Sequence, residues 1–177
     1  MKRASQERRN RERSALVLFT SWRQLNAVTK ALPEDVVDGL LVQGDGSKQA
    51  LILEHRRRID EGECSHLVGL ASFSEGLDLP GDYCRHVVIV KLPFAVPDDP
   101  VDQAIAEWAE AQGRNPFYEI SVPDAALKLV QACGRLIRNE RDYGTVTMLA
   151  KRIVTQRSGQ ALIDSLPPFR LDIAPLR

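Results

Sequence analysis

Five short apolar runs, separated by stretches with helical character, restrict the folds that this chain can adopt. The runs are ALVLF at 15–19, GLLVQG at 39–44, HLVGLA at 66–71, RHVVIVKL at 85–92 and GTVTMLA at 144–150. Each has the length of a strand, and the first and fourth are apolar without alternation, as strands buried on both faces are. The pattern predicts an α/β domain of βαβ units with right-handed crossovers and a mainly parallel sheet.

The segments between these runs carry helix signals. The predicted helices cover 22–31, 48–61, 101–112, 123–138 and 157–165. Thr20 or Ser21 can cap the first helix, Ser47 can cap the second, and Pro123 suits the start of the fourth. Ligands of such sheets bind beyond the carboxyl ends of the strands. The loops TSW, QGDGS, SFSEGLD and LPF, with the end of the last strand, are therefore the predicted site.

Composition limits the partners and the compartment. The 177 residues include 24 Lys plus Arg and 24 Asp plus Glu, so any nucleic-acid contact has to come from local patches. Three dispersed cysteines, Cys64, Cys84 and Cys133, lack the spacing of a metal site and indicate a reduced, cytoplasmic protein. Neither a signal peptide nor an apolar run of membrane-spanning length is found, so we expect no membrane association.

The first 13 residues differ from the rest of the chain. They contain six Lys or Arg and two Glu with almost no apolar residue. We interpret 1–13 as a charged N-terminal extension, either a solvated helix or a frayed tail, with a nucleic-acid-binding arm as the alternative. The domain proper is predicted to cover 14–177.

The octet QACGRLIR lies in the predicted helix 123–138. A helical wheel places Gln131, Gly134, Arg135 and Arg138 on one narrow face. The opposite face is an apolar stripe that we expect to be buried, formed by Ala126, Leu129, Val130, Cys133, Leu136 and Ile137. Glycine inside a helix costs about 1 kcal/mol relative to alanine, which a ligand close to the backbone would explain. Solvated arginines on an amphipathic helix are the alternative.

Two loops carry groups suited to phosphate and sugar. In SFSEGLDLPG, Ser72 can donate to phosphate oxygens, Gly76 allows a close approach, and Glu75 and Asp78 can accept from a ribose hydroxyl or pair with an arginine from another element. An ordinary βα loop is the alternative.

The loop TSW has the same chemistry at the start of the first helix. The hydroxyls of Thr20 and Ser21, with free N–H groups at a helix N-terminus, suit an anionic oxygen, although an N-cap explains Ser21 equally well. Trp22 is expected to pack against the protein rather than to stack on a base.

Three motifs in order carry a family resemblance. LVLFTSW, SFSEGLDLPG and QACGRLIR resemble motifs IV, V and VI of superfamily 2 helicases, and are most similar to those of the DinG/XPD-like group, in particular the DinG and YoaA types. The stretches KLPFAVPDDP, GRNPFYEISVPDAALK and DSLPPFR extend the resemblance from about Ala15 to Arg170.

The resemblance implies a RecA-like, three-layer α/β domain: the second motor domain of an ATP-dependent 5′-to-3′ DNA helicase with a role in DNA repair. ATP would lie between this domain and a first motor domain. Arg138 would be the catalytic arginine finger on the γ-phosphate, and Arg135 a second phosphate contact or an interdomain partner. Gln131 would orient nearby groups beside Gly134 on the nucleotide-binding face.

The other two motifs would couple nucleotide to DNA. The resemblance implies that Asp78, with Glu75 and Gly76, links the nucleotide state to the domain interface. It also implies that Thr20, Ser21 and Ser72 hold the phosphate backbone of single-stranded DNA.

The chain departs from the family in what it lacks. It has no G-x-x-x-x-G-K-[ST] loop and no acidic D-E-A-H-like motif, and GDGSK at 44–48 has the letters of a phosphate loop in the wrong order. The family's four cluster cysteines belong to its first motor domain, so no metal cluster is expected here. ATP and Mg²⁺ are expected only together with a first motor domain, in cis or in trans, and the isolated chain is expected to be inactive.

Two rival interpretations stay open at this point. The first is a non-catalytic DNA- or protein-binding module derived from a helicase fragment. The second is another nucleotide-binding α/β enzyme, which lacks support because there is neither a glycine-rich phosphate loop nor a catalytic triad. The three histidines, His55, His66 and His86, are scattered and are interpreted as ordinary residues.

Overall fold

A computed structural model describes residues 13–95, 99–137, 140 and 142–174, and these residues form two compact units. The first unit is the described part of Met1–Lys91 with Ala132–Leu149, and the second is the described part of Leu92–Gln131 with Ala150–Arg177. The domain predicted over 14–177 therefore comprises two units, a subdivision that the sequence did not indicate. All of the predicted extension before Arg13 lies outside the described residues.

The first unit contains a five-stranded sheet. The strands are β1 Ser14–Phe19, β2 Leu40–Val42, β3 Ser65–Leu70, β4 His86–Ile89 and β5 Thr145–Met148. They are all parallel, in the order β2-β3-β1-β4-β5. The predicted α/β class and the five predicted strands are therefore confirmed.

Helices connect the strands and form much of the second unit. The first unit has α1 Trp22–Ala31, α2 Glu34–Val37 and α3 Lys48–Asp60; the later helices are α4 Pro100–Ala111, α5 Val122–Cys133, α6 Arg152–Thr155 and α7 Arg157–Asp164. α1, α3, α4 and α7 match predicted helices. α2, α6 and the π-helical segment Phe117–Ser121 are not predicted. No helix within the described ranges is both long enough and apolar enough to cross a bilayer.

The sheet is covered on both faces. Val17, Phe19 and Val68 project to one face, where Leu25 of α1 packs against them. Ser65 is three residues from Val68 and so projects to the other face, where His55 Nδ1 of α3 lies 2.9 Å from its Oγ. Helices thus lie on both sides of the sheet, which makes the first unit the three-layer α/β/α arrangement that the resemblance implies.

His55 joins three elements in the interior of the first unit. Its side chain is fully buried, and its Nε2 lies 2.8 Å from the carbonyl oxygen of Tyr83 in the 3₁₀ turn Gly81–Tyr83. A carbonyl can only accept, so Nε2 donates and Nδ1 accepts from the Ser65 hydroxyl. Burial lowers the pKa of His55, so the neutral ring that this pairing requires is the stable form.

The second unit has a different character. α4 exposes Val101, Ile105 and Trp108, which line a shallow apolar groove of about 400 Å³. Phe117 lies with its ring centroid 5.4 Å from that of Phe94. In α7, Gly159 packs so closely on Ile153 that a Cβ would clash with its carbonyl.

Candidate functional site

Three loops of the first unit leave the carboxyl edge of the sheet. β1 continues into Thr20 and Ser21, β2 into Gln43 and Gly44, and β3 into the 3₁₀ turn Ala71–Ser74. Because β2, β3 and β1 are adjacent and parallel, their ends meet at one edge. Helices α1 and α3 also begin at this edge, so the positive ends of two helix dipoles face the same region.

The predicted DNA-contacting residues lie at this edge. Ser21 and Ser72 are exposed and Thr20 is half-buried. Ser21 is also the N-cap of α1, and its hydroxyl accepts from the N–H of Gln24 at 3.4 Å. The cap occupies an acceptor position of the hydroxyl, which leaves its O–H able to donate to an anionic oxygen.

A groove runs between these loops, and its lining includes Lys48, which lies outside the loops predicted to form the site. It has a volume of about 360 Å³ and is lined by Trp22, Gln43, Gly44, Gly46, Lys48, Ser72 and Phe73. Trp22 is 45% exposed, so it packs against the protein only in part. It is the first residue of α1, and the buried side of that helix is taken by Leu25 instead.

The segment GDGSK is a turn followed by a helix cap. Ser47 caps α3, and its hydroxyl accepts from the N–H of Ala50 at 3.2 Å. Lys48 is the first helical residue, and its ammonium donates to the carbonyl oxygen of Glu75. The sequence could have indicated Lys48 as a site residue, because it is a basic residue at the predicted start of a helix, next to a loop of the predicted site.

Close packing at Gly69 shapes the floor of the groove. A Cβ there would lie 2.7 Å from the Phe73 ring and 2.8 Å from Gln43 Oε1. That same Oε1 accepts from the N–H of Leu70 at 2.8 Å, which ties the loop after β2 to the end of β3.

The loop 75–78 is held by three cationic side chains. Besides Lys48, Arg56 Nη2 donates to the Asp78 carbonyl at 2.6 Å, and Arg135 Nη1 donates to the Leu77 carbonyl at 3.2 Å. The arginines that approach this loop thus bond to its main chain, whereas the sequence analysis considered pairs with the carboxylates. Glu75, Gly76 and Asp78 are all exposed.

The helix that carries the octet ends earlier than predicted. α5 stops at Cys133, and the N–H groups of Arg135 and Leu136 bond to the carbonyls of Ala132 and Cys133 at 3.1 and 3.0 Å. These bonds to the residue three positions before close a tight turn. Gly134 directly follows the last helical residue, so the cost of a glycine inside a helix does not apply to it.

Because α5 ends at Cys133, the helical wheel for 123–138 does not describe the residues after Cys133. Leu129, Cys133 and Leu136 are buried as predicted, but Ile137 is 44% exposed, so its place in the buried stripe is wrong. Gln131 and Gly134 are exposed and Arg135 is half-buried. Arg138, the predicted arginine finger, lies outside the described residues, and Gln131 belongs to the second unit.

The surroundings of Cys133 and His86 indicate structural roles for both residues. Burial raises the pKa of the Cys133 thiol to about 11, which keeps it protonated near neutral pH. His86 Nε2 lies 2.8 Å from Thr147 Oγ1, between the two neighbouring strands β4 and β5. In the part of the chain that the structure describes, no three His, Cys, Asp or Glu side chains come together as a metal site.

A parallel sheet in this order, covered by helices on both faces and with polar loops at its carboxyl edge, is a RecA-like α/β fold. A solved XPD helicase structure has the same fold, with a TM-score of 0.66, 21% identity, and coverage of 87% of this chain and 27% of the other. The structure of S. tokodaii Xpd4 gives a TM-score of 0.58 at 19% identity, covering 90% and 30% of the two chains.

The sequence matches the helicase C-terminal domain family over residues 5–169, and the chain belongs to this family. The ATP-dependent DNA helicase DinG of Photobacterium profundum is 48% identical over 162 residues, covering 90% of this chain and 23% of the relative. DinG of Escherichia coli (strain K12) is 42% identical over 157 residues, covering 89% and 22%. The chain therefore spans less than a quarter of the length of these relatives.

Proposed function

We propose that this chain acts as the second motor domain of an ATP-dependent 5′-to-3′ DNA helicase with a role in DNA repair. The observation that carries the proposal is the bond from Arg135 Nη1 to the carbonyl of Leu77 at 3.2 Å. It joins the segment that resembles motif VI to the loop that resembles motif V within one unit. A movement of the proposed nucleotide-facing arginines would therefore be transmitted to the loop 75–78, which follows the proposed DNA-facing edge of the sheet.

The proposed DNA surface is the carboxyl edge of β1 and β3. Thr20, Ser21 and Ser72 would contact the phosphate backbone there, supported by the N-termini of α1 and α3. The names of the DinG relatives, which are DNA helicases, support DNA as the substrate. A cytoplasmic location is proposed from this substrate.

The proposed catalytic group is Arg138, with Arg135 as the second contact. Phosphoryl transfer spreads negative charge over the γ-phosphate oxygens, and a guanidinium neutralises that charge in a bidentate way. Gln131 and Gly134 are the other proposed nucleotide-binding residues. Glu75, Gly76 and Asp78 would transmit the nucleotide state.

ATP and Mg²⁺ would be held by a first motor domain, in cis or in trans. The sequence has no phosphate loop of its own, and the DinG relatives are more than four times longer than the segment that they share with this chain. A first motor domain is therefore the proposed protein partner.

A chimera tests the arginine finger. The matching segment of Photobacterium profundum DinG would be replaced by this chain, and DNA-stimulated ATP hydrolysis would be measured. We expect activity in the chimera and a loss of about 10³-fold or more in kcat for Arg138→Ala, because arginine fingers contribute about 10³–10⁵ in rate.

The matched control is Arg114→Ala, which removes an exposed arginine paired with Glu119 at 2.8 Å in the second unit. We expect its kcat to stay within twofold of the unchanged chimera. Equal losses in Arg138→Ala and Arg114→Ala would contradict the assignment.

The alternative function is a binding module without catalysis. The absence of a phosphate loop from the sequence favours it. Such a module would bind single-stranded DNA in a salt-sensitive way, and nucleotide would leave that affinity unchanged even when a first motor domain is present.

A further inference from the structure

Trp22 presents a large aromatic surface at the DNA-facing edge. Its side chain is 45% exposed, although it begins a helix whose buried side is available to apolar groups. Each base of a single strand has a π-face that can stack on such a ring, independently of base identity. An open indole next to the proposed phosphate contacts Ser21 and Ser72 is therefore placed to take a base.

The loop after β2 keeps space open beside the indole. Gly44 adopts a φ of 107°, and a Cβ there would lie 3.9 Å from Trp22 Cη2. A Cβ at that position would touch the edge of the indole ring, whereas glycine leaves this space open. The groove of about 360 Å³ has the size of a small ligand pocket.

The charged side chains around the groove favour the phosphate of a nucleotide at one end of the groove and the base at the other. Asp45 lies between the two groove glycines and is exposed, so its carboxylate disfavours a phosphate at this end. Lys48 and Ser72 line the same groove. An ammonium has three N–H donors, so the bond from Lys48 to Glu75 leaves donors for a phosphate oxygen.

We propose that the groove is a nucleotide subsite in which one base stacks on Trp22 and the adjoining phosphate contacts Lys48 and Ser72. The inference rests on the proposed DNA-binding function and adds a base-recognition element to it. The subsite accepts any base, because a π-face rather than a hydrogen-bonding edge is recognised. The subsite therefore increases the affinity for single-stranded DNA without a preference for sequence.

The test compares two oligonucleotides of equal length and charge, one of thymidines and one of abasic sites, bound to the full chain at fixed salt. We expect the thymidine strand to bind at least about fivefold more tightly, since a stacked base contributes about 1–3 kcal/mol. Trp22→Ala should remove this difference, and Trp22→Phe should keep part of it. Lys48→Ala should weaken both strands alike.

The second tryptophan of the chain gives a matched control, since Trp108 is 57% exposed in the other unit. Trp108→Phe leaves Trp22 as the sole indole, and we expect the thymidine strand to quench its fluorescence. In Trp22→Phe the remaining Trp108 emission should not change. Trp108→Ala should keep the full preference for the thymidine strand.

The outcomes separate the two proposals. If the unchanged chain binds both strands equally in a salt-sensitive manner, the stacking subsite is refuted while DNA binding stands. If neither strand binds, the proposed DNA surface and the subsite fail together.

Discussion

The loop 75–78 shows how individual side chains fix the path of the main chain in this protein. Lys48 and Arg56 belong to α3 and Arg135 follows α5, and each of the three donates to a main-chain carbonyl of the loop. Arg56 also lies with its guanidinium 5.4 Å from the centroid of the Tyr83 ring. Bonds to carbonyls fix the path of the loop and leave its carboxylates at the surface, where a partner can reach them.

His55 gives a prediction of how stability depends on pH. Burial lowers the pKa of His55 in the folded chain below its ordinary value of about 6.5, so the unfolded chain takes up the proton first as the pH falls. The contribution of His55 to the free energy of unfolding is complete above about pH 6.5, and it is lost as the pH falls toward the pKa of His55 in the folded chain. Urea unfolding between pH 7.5 and 5.5 should show a falling free energy of unfolding, by at most about 1.4 kcal/mol per pH unit for one histidine.

His55→Gln should lower the free energy of unfolding at pH 7.5 and flatten its decline toward pH 5.5. His66 is the comparison, because burial lowers its pKa too; His66→Gln should remove a separate share of the slope. An unchanged slope in His55→Gln would show that this ring is not the titrating group.

At the scale of elements, the strands were predictable and the end of α5 was not. The apolar runs are long enough to identify all five strands, and the adjacent strands β1 and β3 are largely buried. The wheel for 123–138 assumed an uninterrupted helix, but Gly134 follows the last helical residue and the chain turns there. The sequence allowed both outcomes, since glycine suits a helix end as well as a close approach inside a helix.

Gly69 links the sheet to the groove and gives a second prediction. Gly69→Ala places a Cβ 2.7 Å from the Phe73 ring and 2.8 Å from Gln43 Oε1, so both groove residues have to shift. We expect a loss of about 1–3 kcal/mol in the free energy of unfolding, as overpacked cores show. Affinity for single-stranded thymidine oligonucleotides should fall as well, which fluorescence anisotropy would measure.

Gly39→Ala is the matched substitution, because a Cβ there would meet its nearest neighbour, His66 Cδ2, at an ordinary 3.5 Å. It should leave the stability nearly unchanged and the DNA affinity intact. If both alanine variants behaved alike, the close packing at Gly69 would not be what shapes the groove.

At the scale of the whole molecule, the chain is a helicase C-terminal domain, and we propose that it acts as one part of a motor. The motifs identified the family and the sheet edge, because short sequences with fixed chemistry lie at fixed places in the fold. Trp22 was expected to pack rather than to stack on a base, and Lys48 was not singled out, because only the three-dimensional loop arrangement shows that they line one groove. The division into two units was also missed, since each unit is assembled from chain segments that are far apart in sequence.

The third prediction concerns nucleotide turnover by the chain alone. The sequence provides no lysine-bearing phosphate loop, so we expect neither tight ATP binding nor ATP hydrolysis. A coupled ATPase assay and nucleotide titration, each with and without single-stranded DNA, would measure this. Turnover by the pure chain that Arg138→Ala abolishes would contradict it.

The pairing of β4 with β5 has a consequence for how the chain folds. Ile89 pairs with Met148, although the residues between these strands include the first segment of the second unit. Bringing the two strands together closes a long loop, and such distant contacts slow folding. During synthesis β5 cannot pair with β4 until residues 145–148 have left the ribosome, so this edge of β4 is without its neighbouring strand until then.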